Sequence, residues 1–132
     1  MKILIVSGSK GKFFHLKAFG EALKKLGVEY KIVNESDYGL GFPSRKIKNW
    51  FNSGKKFKKL LHDFSPDCVF VDRQARVGVY TIEEKIPLFV LLRGHYWSEI
   101  EWAKKTIIKD PIMGLVLRIR NNMAEKCFSE AT

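Results

Sequence analysis

The chain has 132 residues, 45% hydrophobic and 29% charged, which suffices for one globular domain with its own core and excludes a disordered chain. Its 24 Lys and Arg against 14 Asp and Glu leave a formal net charge of +10, so the partners it favours are anionic: nucleic acid, an anionic membrane surface or phosphorylated substrates. The cysteines, Cys68 and Cys127, stand far apart in apolar stretches; this excludes a disulfide framework or a short-spaced zinc site and fits a reduced, cytoplasmic chain.

Met1 leads straight into an apolar run at residues 3–6, so no signal peptide is expected. Phe14, Ala18, Phe19, Ala22, Leu23 and Leu26 then recur at helical spacing, and Gly27 is placed to end that helix. A second strand is predicted over 29–33. Ile47, Trp50, Phe51, Phe57, Leu61 and Phe64 predict one long helix, with Ser44 as its N-cap after Pro43. The third apolar run is 68–71, followed by a weaker helix at about 74–85 and a fourth run at 88–92. Ser98-Glu99-Ile100-Glu101 reads as a capping box. Asp110-Pro111 opens a last helix that carries Ile112, Leu115, Val116, Ile119 and Met123 to about Ser129. No apolar run approaches the ~20 residues of a membrane-spanning helix.

Runs one, three and four are apolar without alternation, the pattern of strands buried on both faces of a parallel sheet. Alternating strands and helices make this an α/β chain: a Rossmann-like parallel sheet of about four strands with helices on both faces, in a single domain over 1–132. The expected strand order is 3-2-1-4, with strand four at an edge. A further strand is due after residue 129, so a fragment of a longer protein is expected.

Ligands of such sheets bind beyond the carboxyl ends of the strands. Two segments fall there. Ser7-Gly8-Ser9-Lys10-Gly11-Lys12 follows strand one, where glycines let backbone amides approach an anion and Lys10 and Lys12 add charge. Its spacing is neither Gly-x-Gly-x-x-Gly nor a P-loop, and a plain tight turn is the competing reading. Arg93-Gly94-His95-Tyr96-Trp97 follows strand four, beside strand one in the expected order. His95 can donate a hydrogen bond or shuttle a proton, and the flanking aromatics can stack on a sugar. A lone histidine is more often structural; the clustering at the ligand edge is what singles out His95. His15, in the first turns of helix one, is the blander case.

Residues 45–59 hold Arg45, Lys46, Lys48, Lys55, Lys56, Lys58 and Lys59 and no acidic residue, so they supply +7 of the net charge. With Trp50, Phe51 and Phe57 interleaved, this reads as a basic amphipathic helix for a membrane surface or other anionic contact. A core-facing aromatic stripe behind an ordinary solvated lysine face is the alternative.

Four phrases in order resemble the N-terminal domain of a GT-B fold, group 1 type glycosyltransferase. They are the opening Met1-Lys2-Ile3-Leu4-Ile5-Val6 with its helix ending Leu23-Lys24-Lys25-Leu26-Gly27; Leu60-Leu61-His62-Asp63-Phe64-Ser65-Pro66-Asp67-Cys68-Val69-Phe70-Val71-Asp72; Ile86-Pro87-Leu88-Phe89-Val90-Leu91-Leu92-Arg93-Gly94-His95; and Ala124-Glu125-Lys126-Cys127 onward. The resemblance implies two Rossmann-like domains facing across a cleft, the N-terminal one for the acceptor and the other for a nucleotide-sugar donor. It implies transfer of a sugar to an anionic or lipid-linked acceptor at the cytoplasmic membrane face, with no cofactor or metal held by this domain. Gly8, Ser9, Lys10, Gly11 and Lys12 would line the cleft near the donor diphosphate. His95 would sit near the transferred sugar, with Arg93, Tyr96 and Trp97 beside it. The first loop lacks the longer Gly-Gly stretch common in that family, and Arg93-Gly94 replaces a plainer pair before the histidine. The donor domain's pair of glutamates eight positions apart is missing from its context, since Glu21 and Glu29 fall on helix one and strand two. Half an enzyme, inactive alone, is therefore expected. Two other readings stay open: a nucleic-acid-binding module, for which no reader motif is present, and a flavodoxin-like binder with a phosphate cradled by the first loop.

Overall fold

In the computed structural model, which describes residues 1–9, 11, 13–38, 40, 50, 51, 53–92, 94–106 and 111–131, parallel strands alternate with helices. The strands are β1 (Lys2–Ser7), β2 (Glu29–Asn34), β3 (Cys68–Val71) and β4 (Leu88–Val90). The helices are α1 (Phe13–Lys25), α2 (Lys55–Phe64), α3 (Arg76–Glu83), α4 (Tyr96–Thr106) and α5 (Pro111–Glu130), with a 3-10 turn over Glu35–Tyr38 after β2. Every predicted strand is present, so the α/β class stands.

The strand order is β2-β1-β3-β4, which corrects the expected 3-2-1-4. β1 is central, pairing with β2 on one side and β3 on the other, and β4 adds outside β3. The reason lies in what each strand can bury. A strand covered on both faces has to be apolar nearly throughout. β1 meets that condition, whereas β2 begins with the half-exposed Glu29-Tyr30-Lys31 and suits an edge. Val69 and Val71 of β3 instead extend the buried layer begun by Leu4 and Val6.

The chain thus steps one way from β1 to β2 and the other way from β2 past β1 to β3. Right-handed crossovers then require α1 on one face and α2 and α3 on the other. Two cores result. Ile3, Ile5 and Leu16 pack under α1. On the opposite face Leu4, Val6, Val69 and Val71 meet Phe57, Leu61, Val77 and Cys127 from α2, α3 and α5.

Three helices depart from expectation in instructive ways. α1 ends as predicted, with Gly27 at φ 75° and its N–H donating to the Lys24 carbonyl at 3.0 Å. It rests on Leu16 and Gly20, however, while Phe14 and Leu26 of the predicted stripe are 78% and 79% exposed. Gly20 decides this: a Cβ there would stand 2.3 Å from the Tyr30 ring, so the helix seats β2's aromatic where it has no side chain. The helix predicted from Ser44 begins only at Lys55. Gly54 before it is left-handed, at φ 70°, and a Cβ on it would meet the Tyr80 ring at 2.4 Å; only glycine takes both conditions cheaply. Ser44 and the rest of 41–49 lie outside the described residues. α4 starts at Tyr96, ahead of the predicted Ser98 cap. α5 starts at Pro111 as expected, with Asp110 outside the described residues.

A close approach locks α3 to α5. A Cβ on Gly78 would stand 2.7 Å from Cys127 Sγ and 3.2 Å from Leu88 Cδ2. Cys127 is fully buried and its thiol donates to the Ala75 carbonyl at 3.5 Å. Burial pushes its pKa up, which leaves a protonated, packing thiol and not a reactive one. Gly78→Ala is expected to cost about 1–3 kcal/mol through overpacking, in spite of alanine's better helix propensity. Gly78→Ala with Cys127→Ala should recover most of it. Urea unfolding of the single and double variants reads the coupling, and equal losses with and without the sulfur would place the strain elsewhere.

Candidate functional site

The carboxyl ends of β3 and β4 open on a cavity of about 180 Å³. Its walls are the segment after β3, the first turn of α3, the start of α4 and the flank of α5. Its polar lining includes Asp72, Arg73, Arg76, Tyr96, Glu99 and Arg120. Asp72 and Arg73 follow directly from β3, so the strand fixes where they stand. Arg120 arrives from α5 on the same helical face as Val116, Ala124 and Cys127, whose burial seats that face on the rest of the domain.

Arg73 is held from behind. Its guanidinium pairs with Glu35, a carboxylate almost wholly buried after β2, and also donates to the Gly8 carbonyl at 3.2 Å. Burial, and next the nearby Arg120, hold its pKa below the ordinary arginine value. Asp72 faces the first loop, where its Oδ1 accepts the Gly8 N–H at 2.7 Å. A Cβ on Gly8 would stand 2.3 Å from Arg73 Nε, so this glycine exists to let the arginine pass.

The first loop therefore turns inward. Ser7 Oγ donates to the Ser9 carbonyl at 2.6 Å and accepts the Ser9 N–H at 3.3 Å. The amides of Gly8 and Ser9 are engaged with the protein. Gly11 is exposed, and Lys10 and Lys12 lie outside the described residues. This loop and the segment after β4 were expected to be neighbours; β3 stands between them, a consequence of the corrected strand order.

His95, exposed, ends up capping α4: its Nδ1 accepts the Ser98 N–H at 3.2 Å and lies 2.7 Å from Ser98 Oγ. An imidazole whose Nδ1 accepts carries its proton on Nε2, so the outward atom is a hydrogen-bond donor. Ser98 is thus the capped residue, not the cap. Tyr96 is buried, and its hydroxyl donates to Asn121 Oδ1 at 3.2 Å, with burial raising its pKa. Its ring and that of the exposed Trp97 pack on Phe128 of α5, at 5.3 and 5.6 Å between centroids. Tyr96 anchors the helix, and Trp97 offers an open aromatic face. Arg93 lies outside the described residues.

The basic segment is not one helix. Arg45, Lys46 and Lys48 lie outside the described residues. On α2, Lys58 bridges Glu83 at 2.9 Å and Glu84 at 3.1 Å, and Lys59 pairs with Asp63 at 2.8 Å. Both turn toward protein carboxylates, while Lys55 and Lys56 are exposed at the start of α2. His15 is exposed on α1.

Sequence reasoning missed Arg73, Arg76, Arg120 and Glu35. Asp72-Arg73 at the end of a buried strand was a usable signal, because a charged pair there has to face a ligand edge or a partner. Nothing local marks Arg120 or Glu35. Among the described residues no His, Cys, Asp and Glu group could hold a metal ion, and no helix is long and apolar enough to cross a membrane. Set against family models, curated proteins and solved structures, the chain matches none of them.

Proposed function

We propose that the chain is the acceptor-side domain of a two-domain, GT-B type glycosyltransferase, moving a sugar from a nucleotide-sugar donor to an anionic or lipid-linked acceptor. The observation that carries this reading is the cavity at the ends of β3 and β4. It lies where open α/β sheets bind ligands, and Arg73, Arg76 and Arg120 line it together with Gly94 and Tyr96, the chain neighbours of the exposed His95 and Trp97. The arginines suit an anionic acceptor, Trp97 suits a sugar ring, and His95 suits an oxygen of the transferred group. The donor diphosphate falls to the second domain, since the amides of Gly8 and Ser9 are engaged internally. Lys55 and Lys56, exposed at the start of α2, would face an anionic leaflet, where each charge is worth about 1 kcal/mol.

The order β2-β1-β3-β4 also favours a flavodoxin-like binder, whose cofactor sits at the β1/β3 switch point. Here Asp72 and Arg73 occupy that point and bond to Gly8, which argues against a bound flavin.

The chain alone is expected to bind nucleotide sugars poorly and to transfer nothing, because catalysis needs both reactants fixed in one closed cleft. Acceptor sugars should perturb the amide resonances of 72–76 and 94–99. Measured transfer by these 132 residues alone, or a yellow preparation with a bound flavin, would sink the proposal.

A further inference from the structure

The two helices after β4 bury little of what they carry. α4 buries Tyr96 and Ala103, and α5 buries Val116, Ala124 and Cys127. Trp97, Trp102, Ile112, Met113 and Leu115 stay exposed beside them, Trp102 by 63% and Ile112 by 67%. The start of α5, from Pro111 to Leu117, holds no charge. At about 100° per residue, Ile112, Met113 and Leu115 spread over about 160° of the helix circumference. That is wider than the roughly 100° stripe by which a helix seats on one neighbour. A flat protein face covers one side of such a helix end, whereas an acyl layer surrounds it. Charge points the same way. Between Glu101 and Glu125 every described charge is basic: Lys104, Lys105, Arg118 and Arg120. Lys109 and Asp110, outside the described residues, cancel in charge. The furrow between the helices is lined by Ile100, Leu115 and Leu117, and its charged lining residues, Lys104 and Arg118, have the same sign.

We infer that α4 and α5 together form a membrane-surface element. Trp102, Ile112, Met113 and Leu115 enter the boundary of an anionic leaflet, and Lys104, Lys105 and Arg118 meet the lipid phosphates. Exposed apolar side chains bordered by basic ones fit a negatively charged lipid surface. Tryptophan favours that depth because its ring is covered while its N–H stays wet. The lysine and arginine stems lie along the apolar layer and keep their charges at the head groups. The same two helices wall the cavity at the ends of β3 and β4, through Tyr96 and Glu99 of α4 and Arg120 and Met123 of α5. A leaflet at α4 and α5 therefore lies beside that cavity, where a lipid-linked acceptor is met. The inference deepens the proposed function by naming the surface that presents the acceptor, and rests on that reading for its role but not for its binding.

The test uses the whole chain, co-sedimented with vesicles of phosphatidylcholine alone or mixed with phosphatidylglycerol, while tryptophan emission is recorded. Binding is expected only to the mixed, anionic vesicles, with a blue shift in emission and a loss as salt screens the charges. Lys104→Gln with Lys105→Gln should weaken it about tenfold, less than two complete lysine contacts of about fivefold each. Leu115→Ser, at an exposed site, should weaken it about tenfold and leave the circular dichroism spectrum unchanged. Trp102→Phe should keep the binding and lose most of the blue shift, because the ring stays apolar and the reporting indole is gone. Equal binding by wild type and Leu115→Ser, or a full blue shift in Trp102→Phe, overturns the inference. A loss confined to Lys55→Gln with Lys56→Gln puts the leaflet at the start of α2 and overturns it too. So does a dimer that Leu115→Ser dissolves, in a chain that ignores vesicles. Sugar transfer is not read in this assay. Vesicle binding by a chain whose two-domain form transfers no sugar retires the transferase reading alone, and intact transfer without vesicle binding retires the membrane element alone.

Discussion

Replacing Arg73 by leucine is expected to lower the free energy of unfolding by about 3 kcal/mol, the lower end of the range for a broken buried ion pair. The cost comes from Glu35, whose carboxylate is almost wholly buried and pairs with that guanidinium. Without Arg73 it has to be buried unpaired or take up a proton. The low end applies because Arg73 is 39% exposed at its side chain, which lets water replace part of the lost interaction. Glu35→Gln alone should cost less, since the amide fills the same space and still accepts a hydrogen bond. The double variant Arg73→Leu with Glu35→Gln should regain more than half of the single loss. Urea unfolding with a constant slope measures all three, and the coupling follows from the cycle. A neutral Arg73→Leu would mean that Glu35 is stabilised by something else and that the back wall of the cavity is not pre-set.

His95 carries the largest expected effect on activity. In the two-domain transferase proposed above, His95→Ala should cut turnover by one to several orders of magnitude, the span of lost positioning or proton transfer, about 10²–10⁴ for a well-placed group. The geometry adds a second, separable effect. Nδ1 caps α4 through Ser98, and loss of a helix cap costs about 0.5–2 kcal/mol. Asparagine is a good cap and has no atom where Nε2 stands. His95→Asn should therefore restore most of the stability and none of the turnover. If His95→Asn restores both, the histidine acts only by holding the helix. If His95→Ala enzyme that remains folded is fully active, the outward Nε2 has no part in the reaction.

Much of this molecule is written in short stretches of sequence. The bounds of β3, the stop at Gly27 and the start of α5 at Pro111 all depend on a few adjacent residues: an apolar run between turn formers, a glycine that accepts positive φ, a proline at a first helical position. The parallel α/β class follows from their alternation, and with the class comes the carboxyl edge as the place to look for a ligand. His95 and Trp97 were found there for that reason.

What remained hidden depends on residues that meet only after the chain has folded. The 3-2-1-4 order failed because several pairings satisfy the same local pattern; the choice among them falls on how much apolar surface β1 and β3 bury together. The break at Gly54 and the seating of α1 at Gly20 depend on the rings of Tyr80 and Tyr30, which no helical period announces. Gly8 and Asp72 are 64 positions apart and Glu35 and Arg73 are 38 apart, yet these contacts turn the glycine loop inward and order the arginine. Sequence by itself determined most of the elements, their class and the edge at which a ligand is to be sought, because hydrophobic period, caps and turns act within a few residues. Only the tertiary structure decided which strands pair and which arginines converge, because burial and charge pairing act between side chains that the chain brings together from afar.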